Sequence, residues 1–293
     1  MTRILPRVRP WLPSAKRGGD SRIRVLGGAE SAALRALLDS DPAANIFTRS
    51  QLERGNAPQG AYSNVVGIEG EQGLESACWI GANIAPTAMS EDHARAYAEY
   101  ALRSRQRFAS VFGPAQAVMA MHQIMAAGPQ PIFDVRPNQP LMSLREAPRG
   151  KRLPLRRAGL QDYDRVLPAS AKMFEEELGY SPLQSGGGYY RSRVRQLIQD
   201  GHTLIDLDQR GKIIFKADLG TVTQGVAQIQ GVWIDPAHRG YGLAAGYMAS
   251  VVDYALTLVP EVTLYVNDYN EPALRSYQRV GFEHVGTFAT ILF

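Results

Sequence analysis

A glycine-containing segment at residues 235–247, "DPAHRGYGLAAGY", holds the residues best suited to binding a charged ligand, and it is named the glycine loop. Arg239, Gly240, Gly242 and Ala244 lie where a strand pattern gives way to a helical one. The first turn of a helix leaves backbone N–H groups unpaired and carries partial positive charge, so it can bind a phosphate. Glycines let the main chain approach closely, and an arginine adds a charge-assisted hydrogen bond. The segment therefore predicts an anion site at a helix start.

Two common phosphate-binding loops do not fit this segment. A P-loop would need a Gly-Lys-Ser/Thr sequence, which does not follow the glycines. The dinucleotide fingerprint would need a third glycine at position 245, where the chain has Ala245. On spacing alone, a simple turn between a strand and a helix stays open as an alternative.

The elements around the loop belong to an alternating pattern of strands and helices. Predicted strands cover residues 153–157, 202–208, 213–223, 225–235 and 261–268, with one or two more in 282–293. Predicted helices cover 160–177, 189–200 and 243–258, and a short one follows Asn270 as its cap. This order predicts an α/β domain with a mixed sheet.

The first half of the chain has a similar alternation. Strand patterns lie at 24–28, 63–70, 74–86 and 108–114, and helical patterns lie at 30–38, 43–53, 91–106 and 115–126. No residue-level repeat relates the two halves, so an internal duplication stays an open alternative. The nearest analogue of the glycine loop is residues 112–118, "FGPAQAV", where Pro114 removes one N–H group. A degenerate copy of the second half would therefore not be expected to bind the same ligand productively.

Composition and charge set the domain boundaries and exclude several classes. The proline-containing basic segment 145–158 divides the chain, which gives a flexible basic tail at 1–21, an accessory α/β domain at 22–148 and a second domain at 149–293. The single cysteine, Cys78, excludes an intrachain disulfide, is predicted to be buried, and suits the cytoplasm. No segment approaches the roughly 18 consecutive apolar residues of a membrane helix. The five histidines lack ligand spacing and no aromatic residues interleave with the basic ones, so neither a metal nor a nucleic acid is expected.

Two longer motifs carry a resemblance to a known family. Residues 226–244, "VAQIQGVWIDPAHRGYGLA", resemble motif A of the GNAT superfamily of acyl-CoA N-acyltransferases, in which a strand leads into Arg/Gln-x-x-Gly-x-Gly/Ala. Residues 270–286 resemble motif B, whose pattern is matched by Asn270, Ala273, Tyr277, Gly281 and Phe282. The resemblance covers about residues 153–293. The whole chain is also similar to actinobacterial GNAT proteins that have an uncharacterised N-terminal domain.

The resemblance implies how an acyl-CoA would be bound. Two parallel central strands, 226–234 and 262–266, would splay apart and hold the pantetheine arm between them. Backbone groups of Val232, Trp233 and Ile234 would pair with its amides. The pyrophosphate would bind at Arg239, Gly240, Tyr241, Gly242, Leu243 and Ala244. Asn270 would contact the pantetheine arm, although its residue type also suits a plain helix cap.

The resemblance also implies the catalytic groups. Tyr277 matches the tyrosine that gives a proton to the leaving thiolate, and a core tyrosine is the alternative. Many family members have a glutamate eleven residues before the motif-A arginine, where this chain has Gln228. An amide cannot take a proton, so Gln228 would hold water or the amine. A water chain or another carboxylate would then deprotonate the amine, unless the amine arrives neutral. Glu175, Glu176 and Glu177 at a helix end would bind the cationic acceptor, or form a solvated acidic helix end, and Asp218 is a weaker candidate.

The sequence thus predicts an N-acyltransferase that uses acetyl-CoA or another acyl-CoA and a primary amine, without a metal. Protein lysine, a polyamine, an amino acid and an aminoglycoside all stay open as acceptors. The competing hypothesis is a non-catalytic acyl-CoA sensor, which Gln228 favours. Residues 184–190, "QSGGGYY", are either a lid over the acceptor or a flexible connection. A homodimer is also left open.

Overall fold

The computed structural model describes residues 22–54, 64–87, 90–184 and 187–293. The predicted tail at 1–21 lies outside these residues, as do positions 185 and 186 of the predicted lid. The strands are β1 Ile23–Val25, β2 Val65–Gly70, β3 Gly73–Ile80, β4 Asn83–Thr87, β5 Ser110–Pro114, β6 Asp134–Leu144, β7 Arg156–Arg157, β8 Thr203–Leu207, β9 Ile213–Val222, β10 Val226–Ile234, β11 Glu261–Tyr265 and β12 Glu283–Leu292. The helices are α1 Ser31–Asp39, α2 Ile46–Arg54, α3 Glu91–Arg103, α4 Ala115–Met125, α5 Tyr163–Leu178, α6 Gly188–Gln199, α7 Leu243–Leu256 and α8 Glu271–Val280.

All twelve strands form one mixed sheet in the order β1-β2-β3-β4-β5-β12-β6-β11-β10-β9-β8-β7. Each half of the chain contributes one parallel pair, β4 with β5 and β10 with β11. The other neighbouring pairs are antiparallel. The predicted mixed α/β class is therefore confirmed.

The two halves exchange their last strands at the centre of the sheet. The strand β12, from the end of the chain, lies between β5 and β6 and pairs with both. The strand β6, from the first half, pairs with β11 of the second half. The domain boundary at 148/149 stays a prediction, and it falls between two parts that complete each other's sheet.

The strand β6 is absent from the sequence expectations, and its prolines explain why. Its sequence, "DVRPNQPLMSL", contains Pro137 and Pro140, which cannot donate a ladder hydrogen bond and normally indicate a loop or an edge strand. Pro140 lies just beyond the residues of β6 that pair with β11. Its carbonyl still accepts a hydrogen bond of 3.3 Å from the backbone N–H of Val266. A proline is tolerated in this central strand because the regular ladder on that side has already ended.

Helices cover both faces of the sheet in each half, because side chains alternate between the faces along a strand. In the first half, Cys78 and Ile80 pack with α3 and α4, whereas Ala77 and Trp79 pack with α1. The prediction that Cys78 is buried is confirmed. In the second half, α7 covers one face and α5 with α6 covers the other. The part of the chain that the structure describes has no helix long and apolar enough to cross a membrane.

Candidate active site

The central parallel pair separates soon after it begins. The strands β10 and β11 pair over three residues only, the last pair being Gln228 with Thr263. Beyond it, Gly231 adopts a positive φ of 59°, and the register between β10 and β9 shifts between Gln230 and Trp233. This bulge turns β10 away from β11. The predicted splay of the central strands is confirmed, and a cleft of about 840 Å³ opens there.

Most of the predicted site residues line this cleft, on β10, the glycine loop, α7 and α8. They are Val232, Trp233, Ile234, Arg239, Gly240, Gly242, Leu243, Ala244, Asn270 and Tyr277, together with Glu176 and Glu177 from α5. Four predicted residues lie outside the lining: Tyr241, Gln228, Glu175 and Asp218. Tyr241 lies within the loop with 76% of its surface exposed. The structure thus brings the two motifs and the end of α5 to one space.

The glycine loop begins α7 with an uncapped turn. Gly240 and Gly242 have positive φ values of 83° and 72°, and a Cβ added at either would meet no atom within 4 Å. Gly242 is the N-cap residue of α7, and no side chain of the described residues accepts a hydrogen bond from this helix start. The first-turn N–H groups of α7 therefore border the cleft without a side-chain partner, which is the arrangement that binds an anion.

A buried carboxylate anchors the loop where it leaves β10. Asp235 accepts a hydrogen bond of 3.0 Å from the backbone N–H of Ala237 and forms an ion pair of 2.6 Å with the Nζ of Lys212. The contact with Lys212, followed by the backbone bond, lowers the pKa of the Asp235 carboxyl. The loop is thus tied to the turn between β8 and β9, a position set by the fold rather than by a ligand.

Arg239 connects the loop to α5. Its Nε donates to the backbone carbonyl of Ile234 at 2.9 Å, and its Nη2 donates to Glu176 Oε2 at 2.7 Å. The other oxygen of Glu176 accepts from the indole Nε1 of Trp233 at 3.2 Å. A predicted phosphate-binding arginine and a predicted acceptor-binding carboxylate therefore pair with each other. Glu176 is part of the wall beside the loop.

Tyr277 is a buried residue of α8 whose ring packs with Phe282 in the core. Burial raises the pKa of its phenol to about 12, and the negative charge of Glu177 acts in the same direction. Among the described residues its hydroxyl has no hydrogen-bond partner. The ring packs in the core, as one sequence alternative predicts, and Tyr277 also lines the cleft with its hydroxyl protonated, as the other alternative requires.

Glu177 lines the cleft and, unlike Glu176, has no hydrogen-bond contact with Arg239 or Trp233. Its Oε1 accepts a hydrogen bond of 2.7 Å from Arg136 Nη1. Burial, and after it the negative charge of Glu177, raises the pKa of Tyr265 and Tyr277, two tyrosines that line the same cleft as Glu177. The neighbouring Glu175 lies outside the lining, because successive helix residues point about 100° apart.

Gln228 and Asp218 lie outside the lining of the cleft, and both have hydrogen-bond partners within the fold. Gln228 is 4% exposed and precedes the splay, and its Oε1 accepts from Gln230 Nε2 at 2.7 Å. Gln230, two residues further along β10, lines the cleft in its place. Asp218 accepts from Thr203 at 2.8 Å and pairs with the fully buried Lys216 at 2.5 Å. The Asp218 carboxylate is therefore satisfied beneath the bulge of β10.

The cleft also contains polar side chains that the two motif patterns do not include. Arg275 and Arg279 on α8 place two further positive charges along it, one helical turn apart. Gln139, on β6, donates from Nε2 to Asn267 Oδ1 at 2.8 Å and accepts from Thr290 at 2.6 Å. Arg275 and Arg279 are four residues apart in the helix of motif B, a spacing that puts them on one helix face and could have indicated a shared role. No local pattern could have indicated Gln139, because it reaches the cleft through the strand exchange.

Comparisons with known proteins agree with this arrangement. Residues 170–282 match the profile of the Acetyltransferase (GNAT) family, and residues 63–166 match a domain of unknown function, DUF4081. The chain is 40% identical over 55 residues to the peptidyl-lysine N-acetyltransferase YjaB of Escherichia coli (strain K12). That match covers 19% of this chain and 35% of the relative, about a third of its length.

Solved structures share the fold along nearly the whole chain. A GNAT-family acetyltransferase from Colwellia psychrerythraea has a TM-score of 0.59 at 11% identity. The match covers 92% of this chain and 99% of that one. A GCN5-related N-acetyltransferase from Sphaerobacter thermophilus has a TM-score of 0.56 at 15% identity, covering 94% and 96%. The splayed strands and the motif residues agree with the match of residues 170–282 to the Acetyltransferase (GNAT) family.

Proposed function

We propose that this protein is an N-acetyltransferase that transfers the acetyl group of acetyl-CoA to a primary amine. The observation that carries the proposal is that one cleft joins the uncapped helix start of α7 to the protonated hydroxyl of Tyr277. The first feature suits a pyrophosphate and the second suits a leaving thiolate. The GNAT family profile supports the same reaction.

The cofactor-side residues bind and orient the thioester. Beyond Gln228, β10 no longer pairs with β11, so backbone groups of Val232 and Ile234 are available to pantetheine amides as an added strand would be. Asn270 accepts from the backbone N–H of Ala273 at 3.3 Å as the cap of α8, and its side-chain NH₂ remains a donor. Arg279 adds positive charge for the phosphates, and Arg275 lies beside it in a 2.8 Å ion pair with Glu271.

The reaction forms a C–N bond between the amine and the acetyl carbonyl and breaks the C–S bond of the thioester. Tyr277 gives its proton to the departing thiolate and is reprotonated, through water, by the proton that the nitrogen loses once the C–N bond has formed. The amine must first lose a proton, and neither Gln228 nor Gln230 can take it. Glu177 binds the acceptor ammonium and receives that proton, directly or through a water molecule. Glu175 and Asp218 have no part in this scheme.

Thiol release from acetyl-CoA tests the function. The panel contains a lysine peptide, suggested by the name of the relative from Escherichia coli, together with spermidine, free amino acids and an aminoglycoside. We expect turnover with at least one amine, and mass spectrometry should find one acetyl group on its nitrogen. Absence of both products with every amine would overturn the proposal.

The pH dependence of the reaction follows from the raised pKa of Tyr277. Because this pKa is about 12, the phenol keeps its proton throughout the working range. We expect kcat to rise with pH as the amine loses its proton, and to show no falling limb below about pH 10. Initial rates from pH 6 to pH 10 at saturating acetyl-CoA check this. A falling limb near neutral pH in the wild type, absent in Tyr277→Phe, would contradict it.

The glutamines on β10 favour a second candidate function, a non-catalytic acyl-CoA sensor. Gln228 and Gln230 occupy the strand before and at the splay, where a carboxylate would supply a base. A sensor would bind CoA in the same cleft and release no thiol with any amine. Calorimetric titration with CoA beside the turnover panel separates the two functions.

A further inference from the structure

Arg136 belongs to the N-terminal half, yet its partner is at the acceptor side of the cleft. It lies on β6 and is only 9% exposed. Its Nη1 donates to Glu177 Oε1 at 2.7 Å, and its Nη2 donates to the backbone carbonyl of Glu177 at 3.1 Å. Its Nε donates to Asp134 Oδ2 at 3.0 Å. One guanidinium thus holds both the side chain and the main chain of Glu177.

We propose that Arg136 is a positioning residue for the amine acceptor, which it serves by fixing the carboxylate of Glu177 in the cleft. The proposal rests on the proposed function, because it assumes that a cationic amine is the ligand of Glu177. It gives the N-terminal half a direct share in the acceptor side of the cleft.

The position of Glu177 explains why it needs a partner. It is the penultimate residue of α5, and its side chain is 51% exposed. A glutamate there is free to adopt several rotamers, and its charge opposes the negative end of the helix dipole. Arg136 removes both disadvantages, because it binds the carboxylate and one of the last helix carbonyls.

The arrangement also leaves the carboxylate able to bind a cation. Arg136 contacts Glu177 Oε1, whereas Oε2 has no partner among the described residues. The cluster combines one positive charge, on Arg136, with two negative charges, on Asp134 and Glu177. Its net charge is therefore −1, and an acceptor ammonium would neutralise it.

The strand exchange is what brings Arg136 to this place. The strand β6 lies between β11 and β12, and Arg136 is opposite Thr290 in the register. Three residues further along β6, Gln139 contacts Asn267 at the cleft. The N-terminal half thus supplies two polar side chains next to or within the cleft. In the N-terminal half itself, the helix that follows the parallel pair is α4. Its N-cap residue is Pro114, whereas the N-cap residue of α7 is Gly242.

A double-mutant cycle tests the proposal in the full-length protein. The variants are R136Q, E177Q and the double variant, with R136K as the conservative replacement. The control is R145Q, because Arg145 follows β6 directly and also joins the halves, through a 3.0 Å ion pair with Glu261 that is remote from the cleft. The measurements are kcat, the KM of each substrate with the lysine peptide or spermidine, and peptide binding to the CoA-loaded protein by calorimetry.

We expect R136Q to raise the KM and Kd of the amine about tenfold, as loss of a charged hydrogen bond would. The KM of acetyl-CoA should stay within about twofold in every variant. R136K should recover part of the loss, because lysine keeps the charge but not the two-point contact. The double variant should bind amine no worse than E177Q, since Arg136 acts through Glu177. R145Q should behave as the wild type.

Additive losses in the double variant, or an equal rise in the KM of acetyl-CoA, would overturn the role of Arg136. An unchanged amine KM in R136Q would do the same. A wild type that binds the peptide without releasing thiol removes the proposed function instead. The binding cycle then still decides the role of Arg136, because it does not depend on turnover.

Discussion

Replacing Gly242 by valine is expected to weaken CoA binding about 100-fold while the protein stays folded. Gly242 has a φ of 72°, a conformation that a β-branched residue adopts only with strain. No atom lies within 4 Å of a Cβ added there, so the added side chain meets open space rather than the core. In the proposed complex that space is where the pyrophosphate approaches the helix start. Calorimetric titration with CoA measures the loss.

A second glycine with a similar φ distinguishes the effect of backbone strain from that of a side chain that obstructs the pyrophosphate. Gly211, in the turn between β8 and β9, has a nearly equal φ of 77°, and a Cβ there would make only ordinary contacts, the nearest at 3.7 Å. We expect Gly211→Val to lower the melting temperature by a similar amount and to bind CoA as the wild type does. If Gly242→Val bound CoA with unchanged affinity, the pyrophosphate would have to lie elsewhere.

Local patterns were sufficient to predict most of the fold. Periodicity located the helices of both halves to within a few residues, and the motif around Gly242 located the splayed strand β10. The strand β6 was missed because Pro137 and Pro140 are typical of loops. Its place in the sheet depends on pairing with β11 and β12, which lie more than a hundred residues away in the sequence. No local signal carries that information, and the strand exchange could not be predicted without it.

The lack of a local signal for long-range contacts also separates the cofactor side of the candidate site from its acceptor side. The cofactor side follows from a continuous segment of β10, its loop and the start of α7, so its residues could be predicted together. The acceptor side depends on side chains from α5 and β6 that meet only in the folded protein. The distance from Arg239 along the sequence points to Gln228, but the splay begins after that residue. Gln230 and Arg136 could be found only once the register of the strands was known.

Replacing Tyr277 by phenylalanine is expected to lower kcat about 100-fold, the usual contribution of one proton donor. The change removes only the hydroxyl, and the ring keeps its packing against Phe282. Because the hydroxyl has no hydrogen-bond partner among the described residues, its removal leaves no buried group unsatisfied. We expect the Kd of CoA to change by less than about twofold. Steady-state kinetics with the best amine of the panel, beside CoA titration, measure both quantities.

A second buried tyrosine shows whether the loss is specific to the cleft. Tyr97, in the core of the N-terminal half, has its hydroxyl paired with Ser76, and burial raises its pKa as it does that of Tyr277. Tyr97→Phe should therefore lower stability, by about 1–2 kcal/mol for the unpaired Ser76, and leave kcat unchanged. Full activity in Tyr277→Phe would mean that the thiolate takes its proton from water. In that case the raised pKa of Tyr277 would reflect core packing alone, and Glu177 would be the only ionisable group left in the proposed chemistry.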